Sequence, residues 1–395
     1  MTNQPTFDAY NIEDLRELAK RRLPKGLFEF VDRGTEDETA LRRNRTALTN
    51  IKLRPRVLVD VAQRKQNISL FGHPQTMPIA IAPTGSAGLL WHNGEIALAR
   101  AAMKAGIPCT IATGAMTAIE KIAEQAPGTR LWFQLYMWPD RNLSYRLVER
   151  AKAAGYEGLV VTVDSPVPPS REYNLHNGFT IPFSFNPRNV SDVLMHPRWL
   201  FHVLGRYLVT TGMPRYENYP SAVKNRITAL PMGRSMMLND SLTWQDLREL
   251  RRMWPHKLMA KGIIDPADAV RAVECGVDGV IISNHGGRVV DSTLAPIEAL
   301  PAVVAAVGSR TTVIVDSGFR RGTDVVKALA LGADLVLIGR ATLYGTAVGG
   351  EAGATRALSL LREEINRTMA LIGCRSIAEL SPEHVILPDA SAAAA

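Results

Sequence analysis

Beyond about residue 75 the chain alternates between two hydrophobic rhythms. Eight short runs are continuously apolar: Met77–Pro83, Pro108–Thr113, Leu131–Tyr136, Gly158–Asp164, Lys257–Lys261, Gly279–Asn284, Thr312–Asp316 and Asp334–Gly339. Runs of this length and character predict parallel strands buried on both faces. Between them lie stretches with helical spacing, such as Ile96–Ala105, Leu143–Ala154, Pro266–Cys275 and Asp324–Leu331. A glycine follows near the end of each, at Gly106, Gly155, Gly276 and Gly332, as expected of a helix stop. Eight strand–helix units predict an α/β fold, a closed (β/α)8 TIM barrel, more simply than an open doubly wound sheet.

Two segments depart from this rhythm. The first 50 residues read as an N-terminal helical segment, with Asn11 as a cap ahead of Glu13, Asp14, Leu15 and Leu18. A second helical stretch carries Leu27, Phe28, Phe30 and Val31. Between the fourth and fifth strands, residues 165–256 are rich in Pro, Asn, Arg and aromatics. A loop this long inside a barrel is usually functional or disordered. Residues 177–235 are expected to form an inserted lid. Its middle, Leu194–Met213, mixes Trp199, Phe201 and Tyr207 with Arg198 and Arg206. That mixture suits packing on the barrel or lying on a membrane surface. The expected organisation is one domain over 1–386, then a disordered tail over 387–395.

Composition narrows the classes. The 46 basic and 38 acidic residues leave a formal charge of +8, compatible with an anionic substrate, an acidic membrane surface or nucleic acid. The basic residues are dispersed, which argues against nucleic acid. Cys109, Cys275 and Cys374 are odd in number, and no pair has metal-site spacing. They predict reduced thiols in a cytoplasmic protein and no metal centre. No basic stretch followed by an apolar run opens the chain, and no uncharged apolar stretch is long enough to span a bilayer. The expected location is cytoplasmic, with peripheral contact at the inner face of the membrane as the variant.

In a barrel of this kind chemistry sits at the C-terminal ends of the strands. Here seven of the eight ends carry Pro83-Thr84-Gly85, Gln134 and Tyr136, Thr162 and Asp164 with Arg171 following, Lys261, Ser283-Asn284-His285-Gly286-Gly287-Arg288, Asp316-Ser317-Gly318-Phe319-Arg320, and Gly339-Arg340. Any one of these has a structural explanation; their convergence on one mouth does not. The seventh and eighth ends suggest a phosphate site, built from backbone N–H groups and two arginines. That phosphate can belong to a substrate, a nucleotide or FMN. His285 beside arginines suggests a base next to a carboxylate clamp. Asp164 is suited to orienting the imidazole, and Lys261 to stabilising negative charge.

The phrases Ser283–Arg288 and Asp316-Ser-Gly-Phe-Arg-Arg-Gly322 resemble the FMN-dependent L-2-hydroxy acid dehydrogenase and oxidase family. So do Lys327-Ala-Leu-Ala-Leu-Gly-Ala333 and Gly339-Arg-Ala-Thr-Leu-Tyr344. The resemblance runs from about Tyr10 to Pro382. Members acting on mandelate look most similar, and those acting on L-lactate come next. It implies FMN as cofactor and oxidation of an (S)-2-hydroxy acid to the 2-keto acid. It implies His285 as base, oriented by Asp164. Arg171 and Arg288 would hold the substrate carboxylate, with Tyr136 at the reacting centre. Lys261 would face flavin N1, with Pro83, Thr84 and Gly85 against the ring and Gln134 and Thr162 bonded to it. Ser283 joins this set, and Asp316, Ser317, Gly318, Phe319, Arg320, Gly339 and Arg340 would hold the phosphate. It further implies a quinone or oxygen as electron acceptor and a homotetramer.

Two positions depart from the family pattern. Phe30 stands where relatives usually have a tyrosine whose hydroxyl assists the carboxylate, and Ala112 where relatives often have a serine touching the flavin. Gly85 and Gly114 replace residues that are larger in some relatives, leaving room for an aromatic substrate unless each merely serves a turn. The rival of another class is a non-redox barrel enzyme acting on a phosphorylated sugar. It would be colourless, whereas an FMN protein is yellow.

Overall fold

The computed structural model describes residues 8–179, 186–220, 227 and 239–388. All eight predicted strands are present: β1 (Ile79–Thr84), β2 (Cys109–Ala112), β3 (Leu131–Leu135), β4 (Gly158–Thr162), β5 (Lys257–Ile263), β6 (Gly279–Ile282), β7 (Thr312–Val315) and β8 (Leu335–Ile338). They pair in parallel in chain order, and β8 pairs with β1 to close the barrel. Continuous apolarity follows from this closure, because each strand faces the barrel interior on one side and the helices on the other. Trp132, Val160, Met259, Ile281, Ile314 and Leu337 fill the interior. Their neighbours in the strands, such as Phe133, Leu159 and Val161, join the core beneath the helices.

A hairpin of Ile68–Leu70 and His73–Gln75 bears no signal in the hydrophobic pattern. It puts Phe71 edge-on to Trp132 at 6.1 Å. Leu70 and Phe71 pack against the barrel interior, leaving the opposite end open for chemistry.

The N-terminal segment forms α1 (Ile12–Arg22), α2 (Lys25–Asp32) and α3 (Thr39–Asn50). The Asn11 side chain caps α1, accepting from the Asp14 N–H at 3.0 Å. The C-terminal end of α2 is drawn to the barrel mouth by two arginines. Arg288 donates to the carbonyls of Phe30 and Arg33 (2.8 and 2.9 Å), and Arg340 to those of Val31 and Arg33 (2.9 and 3.0 Å). The last carbonyls of a helix lack intrahelical partners, and these cations satisfy them. Cys109, Cys275 and Cys374 are buried free thiols.

Between β4 and β5 the described residues are more regular than expected. Helices run over Glu172–Asn177, Pro187–Leu194 and Arg206–Thr210, and a wide π-type turn over Leu200–Gly205 joins this series. The inward face carries Trp199, Val203 and Tyr207, all buried. The outward face carries Phe201, Leu208 and Val209, exposed by 69%, 53% and 83%. With apolar residues on both faces of Trp199–Val209, little 3.6-residue contrast remains there for sequence to reveal. Trp199 Nε1 ties the segment to the barrel by donating to the Leu89 carbonyl at 2.7 Å. The parts of the expected lid at 180–185, 221–226 and 228–235, and the expected tail from 389 on, lie outside the described residues. Among those described, no helix is long and apolar enough to cross a membrane.

Candidate active site

The open end of the barrel holds a cavity of about 700 Å³. Seventeen residues singled out from sequence line it: Pro83, Thr84, Gly85, Gln134, Tyr136, Thr162, Arg171, Lys261, His285, Arg288, Asp316, Ser317, Gly318, Phe319, Arg320, Gly339 and Arg340. Asp164 and Ser283 stand just behind, each bonded to a lining residue. Phe30, Ala112 and Gly114 are also in the wall.

His285 sits on unusual backbone. Its φ is +57°, and Gly286 and Gly287 continue at +69° and +72°. A left-handed histidine is uncommon, and such strain concentrates at functional sites. The turn needs glycine at 287, where a Cβ would lie 2.5 Å from the Leu41 backbone nitrogen. The ring is held at both nitrogens. Nδ1 donates to Asp164 Oδ1 at 3.0 Å, and the Tyr136 hydroxyl donates to Nε2 at 3.1 Å. With the proton on Nδ1, Nε2 is the unprotonated nitrogen; its lone pair accepts from Tyr136 here, and it becomes a base toward a substrate once the Tyr136 hydroxyl turns to the substrate oxygen. Burial alone would raise the Asp164 pKa. The His285 charge and hydrogen bond, with Lys261 behind, instead hold it below the ordinary carboxylate value. Burial and the Asp164 charge raise Tyr136, so its hydroxyl stays a donor.

Two guanidinium groups flank the base. Arg288 is anchored through its bonds to α2, whereas Arg171 Nε is buried with no hydrogen-bond partner. Both lie over the Phe30 ring, at 5.9 Å for Arg171 and 5.3 Å for Arg288. Burial, and then repulsion from Arg288, lower Arg171 to about 10. It therefore remains a cation at neutral pH, poorly solvated and suited to a bidentate carboxylate.

Lys261 occupies the barrel centre, buried, donating to Ser283 Oγ at 2.7 Å and paired with Asp316 at 3.1 Å. The next residue, Gly262, has φ +108°, and the pairing of β5 with β6 slips a register there. A Cβ at 262 would strike Asp164 at 2.5 Å, so this glycine lets β5 and the end of β4 close together. Nearby, Gln134 Nε2 donates to Thr162 Oγ1 at 2.9 Å.

At the far end, the helical run Arg340–Leu371, kinked at Gly349 and Gly350, starts from Gly339 with no side-chain cap, leaving first-turn N–H groups for an anion. Arg340 also donates to the Gly286 carbonyl at 2.8 Å. Its guanidinium thus braces the His285 loop and α2, and burial lowers it to about 10. Arg320 is the cation beside it; among the described residues its guanidinium donates to the Phe319 carbonyl (3.2 Å) and the Tyr344 hydroxyl (3.5 Å) and lies over the Tyr344 ring.

Sequence reasoning missed the aromatic wall. Phe179, Tyr216 and Tyr219 come from the insertion and line the cavity with Phe30. The two tyrosines stack at 4.9 Å, and Phe179 meets Phe30 at 5.6 Å. The aromatic richness of the insertion was the one available signal, and it could not say which rings turn inward. Gly85 and Gly114 have no positive φ. A Cβ at 114 would meet Tyr216 at an ordinary 3.7 Å, so these glycines leave space rather than serve a left-handed turn.

A family model for FMN-dependent dehydrogenases matches residues 19–387. The chain is 44% identical to (S)-mandelate dehydrogenase of Pseudomonas putida, covering 95% of this chain and 93% of that protein. It is 42% identical to a putative L-lactate dehydrogenase of Mycobacterium tuberculosis, covering 97% and 92%. A crystal structure of (S)-mandelate dehydrogenase, described as a monotopic membrane protein, superposes with a TM-score of 0.90 at 44% identity, covering 97% of this chain and all of that one. A mandelate oxidase structure follows at 0.79 and 34%, covering 96% and 98%. The chain belongs to the FMN-dependent dehydrogenase family.

Proposed function

We propose that this enzyme oxidises an (S)-2-hydroxy acid with an aromatic side chain, mandelate or a close analogue, to the 2-keto acid. The observation that carries this reading is Arg171, whose Nε is buried without a hydrogen-bond partner, beside Arg288 and the His285–Asp164 pair, facing an aromatic wall. A cation with a buried, unsatisfied donor next to a base calls for an anionic substrate with a proton to give up close by. The stacked tyrosines and two phenylalanines suit an aryl group.

FMN fits the residues present. Lys261, Gln134 and Thr162 give a polar barrel centre for the ring, Pro83–Gly85 a wall against it, and Arg320 with the Gly339–Arg340 helix start an anion end for the phosphate. FMN, when bound, takes up the two electrons lost at the substrate α-carbon and passes them to an acceptor. The chain's own residues do the rest. Arg171 and Arg288 fix the carboxylate. His285 Nε2 takes a proton, from the hydroxyl in a hydride route or from the α-carbon in a carbanion route. Asp164 stabilises the resulting imidazolium, and Tyr136 donates to the substrate oxygen. Anaerobic addition of (S)-mandelate to the yellow protein should bleach its visible flavin absorbance rapidly. A protein that stays yellow overturns the substrate.

Phe30 shapes affinity. Its ring meets the two arginines where a hydroxyl would otherwise reach the carboxylate. Phe30→Tyr should lower KM for the hydroxy acid about tenfold or more, as expected of one added hydrogen bond to a charged group. Steady-state kinetics on the variant check this.

The acceptor we favour is a membrane quinone, with oxygen as the rival, and we infer that the enzyme binds the membrane surface peripherally. Phe201, Leu208 and Val209 stand exposed on helices that also carry the exposed Arg198 and Arg206, a pattern suited to an anionic lipid interface. The 44%-identical monotopic (S)-mandelate dehydrogenase supports this. Intact protein should sediment with anionic vesicles, and a variant with Phe201, Leu208 and Val209 changed to serine should stay in the supernatant. We also favour a homotetramer in a single-domain chain, which light scattering can read.

A further inference from the structure

Beneath the helices that carry those exposed apolar residues lies a second cavity, of about 280 Å³. Its described walls are almost entirely apolar, with Leu27, Leu89, Val193, Trp199, Val203 and Leu204 prominent. Two of its polar groups are engaged by residues behind the wall. Asn177 Nδ2 donates to Glu29 at 2.7 Å, and the Asp192 carboxylate accepts from the Lys25 N–H at 2.7 Å. A cavity so lined does not hold water and is costly to leave empty, so hydrocarbon is the occupant it suits. One side is formed by the helices whose outer face is exposed and apolar. The other side is Phe179, which also lines the active-site cavity and touches Phe30 there. Phe179 can stand so close to α2 because residue 26 is glycine; a Cβ there would lie 2.7 Å from the Phe179 Cβ.

We propose that this cavity binds the isoprenoid tail of the quinone acceptor, entering from the lipid surface, with the Phe179–Phe30 wall marking where the head group approaches the active site. The adjacency favours a quinone over a lipid acyl chain, which has no reason to end beside the catalytic pocket. In the reaction the hydroxy acid loses two electrons and two protons, and the quinone gains both pairs to become the quinol. The inference rests on the quinone reading of the acceptor.

The test compares holoenzyme and Val203→Trp in the same detergent, with a tailed quinone and a tail-less quinone of identical head group. A tryptophan at 203 fills the cavity, and Leu204→Trp serves if that variant does not fold. Expected are unchanged anaerobic bleaching by mandelate, unchanged turnover with the tail-less quinone, and a KM for the tailed quinone raised at least about tenfold. A tailed-quinone KM that does not rise in a folded filled variant overturns the proposal while leaving the quinone reading intact, and so does a wild type with no preference for the tail, as when a lipid chain holds the cavity. If neither quinone accepts electrons from the wild type, the acceptor reading itself falls and the tail site with it.

Discussion

His285→Ala should slow substrate-driven flavin bleaching by about 10²–10⁴-fold or more, the range that a positioned general base supplies, while the protein remains yellow. The expectation follows from geometry. Nε2 is the basic atom pointed into the cavity, set in that tautomer by Nδ1 donating to Asp164 at 3.0 Å. None of the groups read here as contacting the flavin belongs to the imidazole, so cofactor content should hold. Stability should fall, because Asp164 would be left buried without its main partner, and breaking such a pair costs about 3–5 kcal/mol. His285→Gln, which can keep a hydrogen bond to Asp164, separates the two effects: it should regain melting temperature but not bleaching. Stopped-flow absorbance with a thermal melt checks both. Fast bleaching in either variant would remove His285 as the base.

Arg171→Met should act in opposite directions on catalysis and on folding. The carboxylate would lose one arm of its clamp, so kcat/KM should drop about 10²–10³-fold, in line with about 3–4 kcal/mol for truncating one partner of a desolvated charge pair. The sign for stability follows from its pKa. Burial first, then Arg288, lower Arg171 to about 10. The folded state therefore binds this proton less readily than the unfolded chain, and the charge costs stability at every pH below about 10. Replacing it with an apolar side chain of similar length should leave the melting temperature unchanged or raise it. At the anchored Arg288 the same change should destabilise, since the Phe30 and Arg33 carbonyls would lose their donor. A melting temperature that falls in Arg171→Met would mean that Arg171 is a structural brace and not a waiting carboxylate ligand.

The barrel was legible in the sequence because its determinants are local. Each strand is a short run buried on both sides, each helix has its period and its stop, and closure follows from counting to eight. The residues at the strand ends were legible for the same reason: once a strand is placed, the fold dictates that its C-terminal end faces the mouth. What only the tertiary structure decided lies between segments far apart in the chain. That Phe179, Tyr216 and Tyr219 wall the pocket depends on how the insertion folds back over Phe30 and Gly114, which no local pattern records. The stretch Trp199–Val209 escaped notice because apolar residues on both of its faces weaken the amphipathic contrast. Arg340 read as a phosphate ligand, yet its guanidinium is engaged by carbonyls of α2 and Gly286. Sequence shows that a cation is present at a strand end; only packing decides which partners reach it first.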